Sequence, residues 1–250
     1  MVRAIMHGCN GKMGQVITGL AQDDEGIAIV AGVDQYTEQK NDYPVFKSLA
    51  QCDVEADVVI DFSNAAAVDA LISDCVAKKI PVVLCTTGLT EAQLEKAAAA
   101  AKEVAVLKSA NMSLGINLLL KLVKEATKVL VPAGFDTEIV EKHHRLKVDA
   151  PSGTALALAD SINEELNNEY AYNYDRSQVR EPRKKEEIGI SAVRGGTIVG
   201  EHEVIYAGPD EVIEIKHTAY SKTVFAKGAV EAAKFLAGKA PGRYGMEDVI

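Results

Sequence analysis

Cysteine is scarce and scattered in this chain. Its four copies, Cys9, Cys52, Cys75 and Cys85, form no CxxC step and have no histidine at a ligand spacing. That pattern fits reduced thiols in a cytosolic protein and gives no zinc signature, so no metal is expected. Long apolar runs are also missing: none approaches the ~18 residues of a membrane span. The apolar start, Met1 to Met6, is interrupted by His7 and Gly8 before it reaches the length of a signal segment. A soluble, cytoplasmic protein without a membrane partner is expected. Basic charge is in deficit, with 27 Lys+Arg against 36 Asp+Glu and a formal net charge of −9. Binding a nucleic-acid backbone needs a broad basic face, so a nucleic-acid partner is not expected. The dense basic stretch Arg180-Glu181-Pro182-Arg183-Lys184-Lys185 is broken by an acid and followed by Glu186-Glu187, and reads as a solvated loop. No internal repeat is evident.

What is present is an ordinary globular composition, 48% hydrophobic and 25% charged, over 250 residues. That is enough for one large core or two modest ones. The first ~110 residues alternate short Val/Ile-rich runs with helical patterns. The runs are Val2–Met6, Ile27–Val33, Asp57–Ile60, Pro81–Cys85 and Val104–Leu107. Continuous apolar runs separated by helices read as buried parallel strands in a βαβ series. Thr90 and Gln93 form a capping box ahead of the alanine run Ala97–Ala101, a strong helix former.

After Ala110 the pattern changes. Leu114 to Val131 reads as one long helix ended by Pro132 and Gly134. Extended segments follow at Thr137–Glu141, Ile188–Val193, Thr197–Ala207 and Glu211–Thr218, and Gly208-Pro209-Asp210 marks a hairpin turn. Period-two stretches in the last two suit an open sheet with one wetter face. Thr223 to Leu236 is helical again. The expected fold is α/β: a doubly wound half formed by 1–110 with 219–250, and an inserted α+β half, 111–218, on a mixed open sheet.

Two places carry chemistry. Gly8-Cys9-Asn10-Gly11-Lys12-Met13-Gly14 follows the first strand and opens the first helix. Glycines there allow a tight turn and close approach of backbone to a pyrophosphate at the helix N-terminus. Asp34 ends the second strand at the place of a ribose-binding acid, which favours a free 2′-hydroxyl and hence NADH. Lys12 offers a charge for a 2′-phosphate, so use of NADH and NADPH is expected with NADH preferred. The loops Asp61-Phe62-Ser63 and Cys85-Thr86-Thr87-Gly88 end further strands and should face the same crevice. The alternative is that Asp61 and Thr90 only cap helices.

The second place is the run Glu138 to Asp160. It gathers His143, His144, Arg145 and Lys147 and then enters Pro151-Ser152-Gly153-Thr154 and an Ala/Leu-rich helix. Four potential cations beside a fresh helix N-terminus suit a small, multiply negative molecule, with histidine and lysine available to move protons. Neighbours on a strand point to opposite faces, so the two histidines share a target only if the strand ends or bends there. Otherwise one of them caps or packs. Glu141 and Arg145 read either as functional groups or as an ion pair that orients the loop. A sugar or amino-acid dehydrogenase of similar build would share the glycine loop without needing this run, and a non-enzymatic nucleotide sensor would not need a second cationic site.

Taken together, GxxGxMG, DFS, CTTG, SANMSLGIN, EIVEKHHRLKVDAPSGTA, AVRGGTIVGEHEV and HTAYSKTVFAKGAVEAA resemble the dihydrodipicolinate reductase family over nearly the whole chain. The resemblance implies a Rossmann-like cofactor domain and a second domain that binds substrate and forms a homotetramer. It implies NADH- or NADPH-dependent reduction of a small cyclic dicarboxylate in lysine and diaminopimelate biosynthesis. It makes His143 and Lys147 catalytic and gives substrate binding to His144, Ser152, Gly153 and Thr154. Cofactor contacts carry over to Gly8, Cys9, Asn10, Gly11, Lys12, Met13, Asp34, Cys85, Thr86, Thr87, Ser109, Ala110, Asn111 and Met112. Departures from the commoner pattern are Lys12 and Lys222 where arginine is frequent, Cys85 where glycine is usual and Met112 where phenylalanine is common. None removes a catalytic group.

Overall fold

The structure, a computed structural model, describes residues 1–38, 41–177 and 179–250. In chain order the elements are β1 (Val2–His7), α1 (Lys12–Gln22), β2 (Ile27–Val33), β3 (Val45–Phe46), β4 (Val58–Asp61), α2 (Ala65–Lys78), β5 (Val82–Leu84), α3 (Glu91–Ala100) and β6 (Ala105–Leu107). Then come α4 (Leu114–Leu130), β7 (Asp136–His143), α5 (Gly153–Glu164), β8 (Ala171–Asn173), β9 (Glu187–Arg194), β10 (Gly200–Ala207), β11 (Val212–Ala219), α6 (Thr223–Leu236) and β12 (Gly242–Tyr244). They form two compact units, Met1–Leu114 with Thr223–Ile250, and Gly115–Lys222.

The first unit is a seven-stranded sheet in the order β12-β6-β5-β4-β1-β2-β3, with every pair parallel. Both faces are covered, which is why its strands are apolar throughout rather than alternating. Ala4, Met6, Val58 and Ile60 point to the face packed by α1 and α6, while Ile5 and Val59 point to the face packed by α2 and α3. The expected doubly wound, Rossmann-like architecture is the one observed. The chain builds outward from β1 to β2 and β3, then returns to the other side of β1 with β4. The β1/β4 boundary is therefore the switch point at which such sheets bind ligands. The capping box is present, Thr90 accepting from the Gln93 N–H and the Gln93 side chain accepting from the Thr90 N–H.

The second unit is a mixed five-stranded sheet, β11-β10-β7-β9-β8, in which β7, β9 and β8 run parallel and β10 and β11 antiparallel to their neighbours. Strands β7 and β10 alternate strictly between buried and half-buried residues. Their buried face and helices α4 and α5 enclose a core that includes Leu119, Val123, Leu158, Ile162, Ile139 and Val204. Tyr206 is fully buried in it, its hydroxyl hydrogen-bonded to the Val123 carbonyl (3.0 Å) and to Thr127 (2.8 Å). The Gly208 turn closes the β10–β11 hairpin through its N–H to the Glu211 carbonyl. Strand β10 begins at Gly200, not at Thr197, and β11 is largely exposed on both faces because it lies at the sheet edge.

Candidate active site

In the first unit the glycine loop closes tightly over the switch point. Gly8 has φ +81°, and a Cβ there would lie 2.5 Å from the Phe62 carbonyl oxygen. A Cβ on Gly14 would lie 2.2 Å from the Gly8 carbonyl oxygen and 2.7 Å from the Cys9 backbone. Helix α1 can thus pack against the loop only with glycine at its third position. Gly11 is less constrained, with 3.3 Å to the Gly8 oxygen. Asp34 accepts from the N–H of Asn10 and of Tyr36, both at 3.0 Å, which ties the end of β2 to the loop. A crevice of about 280 Å³ is lined by His7, Gly8, Gly11, Asp34, Phe62 and Ser63, among others.

The floor of this crevice holds Asp61, singled out above, in a pairing with His7 that the sequence does not show. His7 Nδ1 lies 2.7 Å from Asp61 Oδ1, and Asp61 is 0% exposed. Asp61 also accepts from the Ser63 hydroxyl at 2.6 Å, and Ser63 N–H reaches Thr86 Oγ1 at 3.2 Å. Asp61 is therefore not a helix cap, and the N-cap of α2 is Asn64. The second oxygen of Asp61 is buried without a partner. Thr86 and Ser63 join the ends of β4 and β5. Ser109 and Ala110 line a separate cavity of about 440 Å³ with Lys108 and Tyr244. The Met112 side chain is buried in the core, and Cys9 is buried too. Lys12 is exposed; Met13, Asn10, Cys85 and Asn111 are half-buried, and Thr87 is exposed.

In the second unit β7 ends at His143, so the strand stops between the two histidines. His143 is buried, and His144 stands half-buried just beyond the strand. Strand alternation puts Thr137, Ile139, Glu141 and His143 on the inner face. Glu141 is 0% exposed and accepts four hydrogen bonds. Two come from the Arg194 fork at 2.7 Å each, one from His143 Nδ1 at 2.7 Å, and one from the Ser152 N–H at 2.9 Å. Burial alone would push the Glu141 carboxyl up, but the Arg194, His143 and Ser152 bonds outweigh it and hold it below its ordinary value. A carboxylate only accepts, so His143 Nδ1 is the donor and Nε2 is the nitrogen left to act. Nε2 sits beside Gly200, where a Cβ would approach it to 3.1 Å. Glu141 is partnered by Arg194 rather than by Arg145, which is exposed and bonds through its N–H to the Gly196 carbonyl.

Ser152 caps α5, its hydroxyl accepting from the Ala155 N–H and lying 3.0 Å from His202 Nε2. Lys147 pairs with Asp149 at 2.8 Å. The lysine, aided by the Gly153 N–H, holds the Asp149 carboxyl below its usual range. Asp149, itself exposed, is thus an internal counter-charge to Lys147.

Burial, with His143 beside it at a ring-centroid distance of 5.1 Å, pushes the His202 pKa down to about 4. The folded protein then refuses a proton that the unfolded chain accepts near pH 6.5. Stability should fall as pH drops from about 6.5 to about 4, by up to ~3 kcal/mol from this residue. Urea unfolding across that window should show a shallower loss in His202→Gln than in the wild type; identical slopes would contradict it.

Comparison with known proteins decides the family. The profile "Dihydrodipicolinate reductase, N-terminus" matches residues 2–112, and "Dihydrodipicolinate reductase, C-terminus" matches 115–250. The chain belongs to the dihydrodipicolinate reductase family. A relative from Caldanaerobacter subterraneus subsp. tengcongensis, named 4-hydroxy-tetrahydrodipicolinate reductase, is 56% identical over 100% of this chain and 98% of its own. A relative of the same name from Clostridium novyi is 49% identical with the same coverage. Among solved structures, a dipicolinate-bound dihydrodipicolinate reductase from a Paenisporosarcina species superposes with TM-score 0.81, at 24% identity and full coverage of both chains. A probable dehydrogenase from Thermotoga maritima, at 13% identity and TM-score 0.61, covers 99% of this chain and 92% of its own. At these identities the structures speak for the fold alone. Among the described residues no cluster of His, Cys, Asp or Glu is arranged to hold a metal ion, and no helix is long and apolar enough to cross a membrane.

Proposed function

We propose that this chain reduces 4-hydroxy-tetrahydrodipicolinate, a cyclic unsaturated amine with two carboxylates, to tetrahydrodipicolinate in lysine and diaminopimelate biosynthesis. In the net reaction the 4-hydroxyl leaves as water and the ring gains a hydride from NADH or NADPH and a proton. The observation that carries the reading is the buried Glu141–His143 pair at the end of the strand leading to Lys147. The first unit takes the dinucleotide and the second takes the substrate. The crevice below Gly8 fits a dinucleotide, because Gly8 and Gly14 present bare backbone and Asp34 adds an acceptor suited to a ribose diol. An acid there favours NADH, and Lys12 leaves NADPH usable. The remaining contacts assigned to the nucleotide are Cys9, Asn10, Gly11, Met13, Cys85, Thr86, Thr87, Ser109, Ala110, Asn111 and Met112. When bound, the reduced nicotinamide supplies the hydride.

The chain's own residues do the rest. His143 donates the ring proton from Nε2 and keeps its Nδ1–H on Glu141, so it returns to a defined neutral tautomer. Lys147 exchanges Asp149 for a substrate carboxylate, with Gly153 and Thr154 at the helix N-terminus sharing that charge. His144 holds the substrate from beyond the strand end, and Ser152 fixes the helix start it caps. The edge strand β11, with Val212 and Ile213 exposed, supports sheet pairing between copies in a homotetramer. The four free cysteines suit the reducing cytoplasm.

A thermal-shift titration with dipicolinate tests the site. Dipicolinate should raise the melting temperature, more so with NADH present. Its affinity should rise by about two- to five-fold in Asp149→Asn, the weight of an exposed ion pair. No stabilisation by dipicolinate would overturn the substrate assignment. Weaker binding in Asp149→Asn would instead make Asp149 an orienting partner of Lys147.

A further inference from the structure

We infer that the Glu141–Arg194 pair is the positioning device of this site, setting both the histidine acid and the loop that carries Lys147. The inference rests on the reading of His143 as the acid. Glu141 and Arg194 are distant in sequence, and strand pairing brings them together: His143 on β7 lies opposite Arg194 on β9. One guanidinium then serves two segments. Arg194 Nη1 and Nη2 bind the two oxygens of Glu141, and Nη2 also donates to the Asp149 carbonyl at 2.7 Å. Its Nη1 is further held by the Val193 carbonyl at 2.8 Å. The Glu141 carboxylate passes this fixed geometry to His143 Nδ1 and to the Ser152 N–H at the start of α5. Imidazole, lysine loop and helix N-terminus are therefore all referenced to one ion pair between the buried Glu141 and the half-buried Arg194. Such a pair is a poor source of net stability, since its desolvation offsets much of the attraction. Its value here lies in orientation.

The chemistry requires no proton to pass through Glu141. His143 loses a proton from Nε2 to the substrate, retains Nδ1–H on a carboxylate that stays ionised, and regains a proton from water. Glutamine at position 141 keeps the size and one acceptor but removes the negative charge that His143 Nδ1 and Arg194 bind. It also places an amide N–H against one of its donor partners.

The test is steady-state kinetics of Glu141→Gln, His143→Gln and the double variant, with NADH and the cyclic dicarboxylate substrate. Glu141→Gln should lose about 10- to 100-fold in kcat, the scale of removing a partner that orients a reactive imidazole. KM should stay near that of the wild type, as expected when a transition-state contribution is lost. Added to His143→Gln, the substitution should cost far less than it does alone, because most of its effect on kcat runs through the imidazole. Unchanged kcat in Glu141→Gln, or a full additional loss in the double variant, overturns the inference. If Glu141→Gln does not fold, Arg194→Lys is read in its place: it keeps the charge but loses the fork and its bond to the Asp149 carbonyl. It should lower kcat and raise KM for the dicarboxylate, whereas unchanged kcat overturns the inference. Wild-type turnover in His143→Gln would overturn the acid assignment and this inference with it. A crippled His143→Gln beside a normal Glu141→Gln would overturn the inference alone.

Discussion

Replacing His143 by glutamine should lower kcat by about 10²- to 10⁴-fold, the range spanned by positioned proton donors. Glutamine fills much of the same volume, and its amide can still donate to Glu141 from the His143 position. The buried network of Glu141, Arg194 and Ser152 therefore persists. What disappears is the proton at Nε2. In the proposed reading Lys147, His144 and the start of α5 hold the substrate, so KM should move little while kcat collapses. Steady-state rates with NADH, together with a melting curve showing an intact fold, check this. Turnover within a few-fold of the wild type would remove His143 from the chemistry and leave Lys147 as the proton donor.

Gly14→Ala should cripple nucleotide binding. The added methyl would stand 2.2 Å from the Gly8 carbonyl oxygen and 2.7 Å from Cys9 backbone atoms, and backbone cannot swing aside as a side chain does. Gly8 is itself fixed, since its own Cβ position lies 2.5 Å from the Phe62 carbonyl and its N–H bonds the Val33 carbonyl at 2.8 Å. Helix α1 must therefore retreat from the loop. Overpacking of this kind costs about 1–3 kcal/mol, which is about 5- to 150-fold in NADH affinity if it falls on the bound state. The same cost on folding lowers the melting temperature by several degrees, at roughly 2–4 °C per kcal/mol for a chain of this size. Gly19→Ala in the same helix is the control, since nothing lies within 4 Å of its Cβ. Fluorescence titration of NADH measures both variants. Equal affinity of Gly14→Ala and the wild type would contradict the proposed packing role of the third glycine.

The elements legible in the sequence are those whose signal is local. Buried Val/Ile runs mark β1, β2, β4, β5 and β6. The Thr90–Gln93 capping box marks α3, and Pro132 with Gly134 marks the end of α4. Strands β3 and β12 are not legible, because two or three residues show no period and their pairing is set by neighbours far along the chain. The sites divide in the same way. The run holding His143, His144, Arg145 and Lys147 stands out by its density of cations, while the choice of His143 and Lys147 within it comes from the family resemblance. Asp61 resembles a cap locally, yet it is committed to His7, 54 residues away. Glu141 sits beside Arg145 in sequence, but strand register delivers Arg194 to it from 53 residues away. One local clue was available: alternation along β7 puts Glu141 on the same inner face as Ile139. A carboxylate at a core position needs a cation and a reason to be there.

Oxidation of NADH and of NADPH, followed by absorbance with the product of dihydrodipicolinate synthase as substrate, tests the assigned reaction most directly. Turnover with both nucleotides, NADH being the better, and its loss in Lys147→Ala is the predicted result. Tight binding of nucleotide without turnover by either would leave the dinucleotide crevice standing and contradict the assigned reaction.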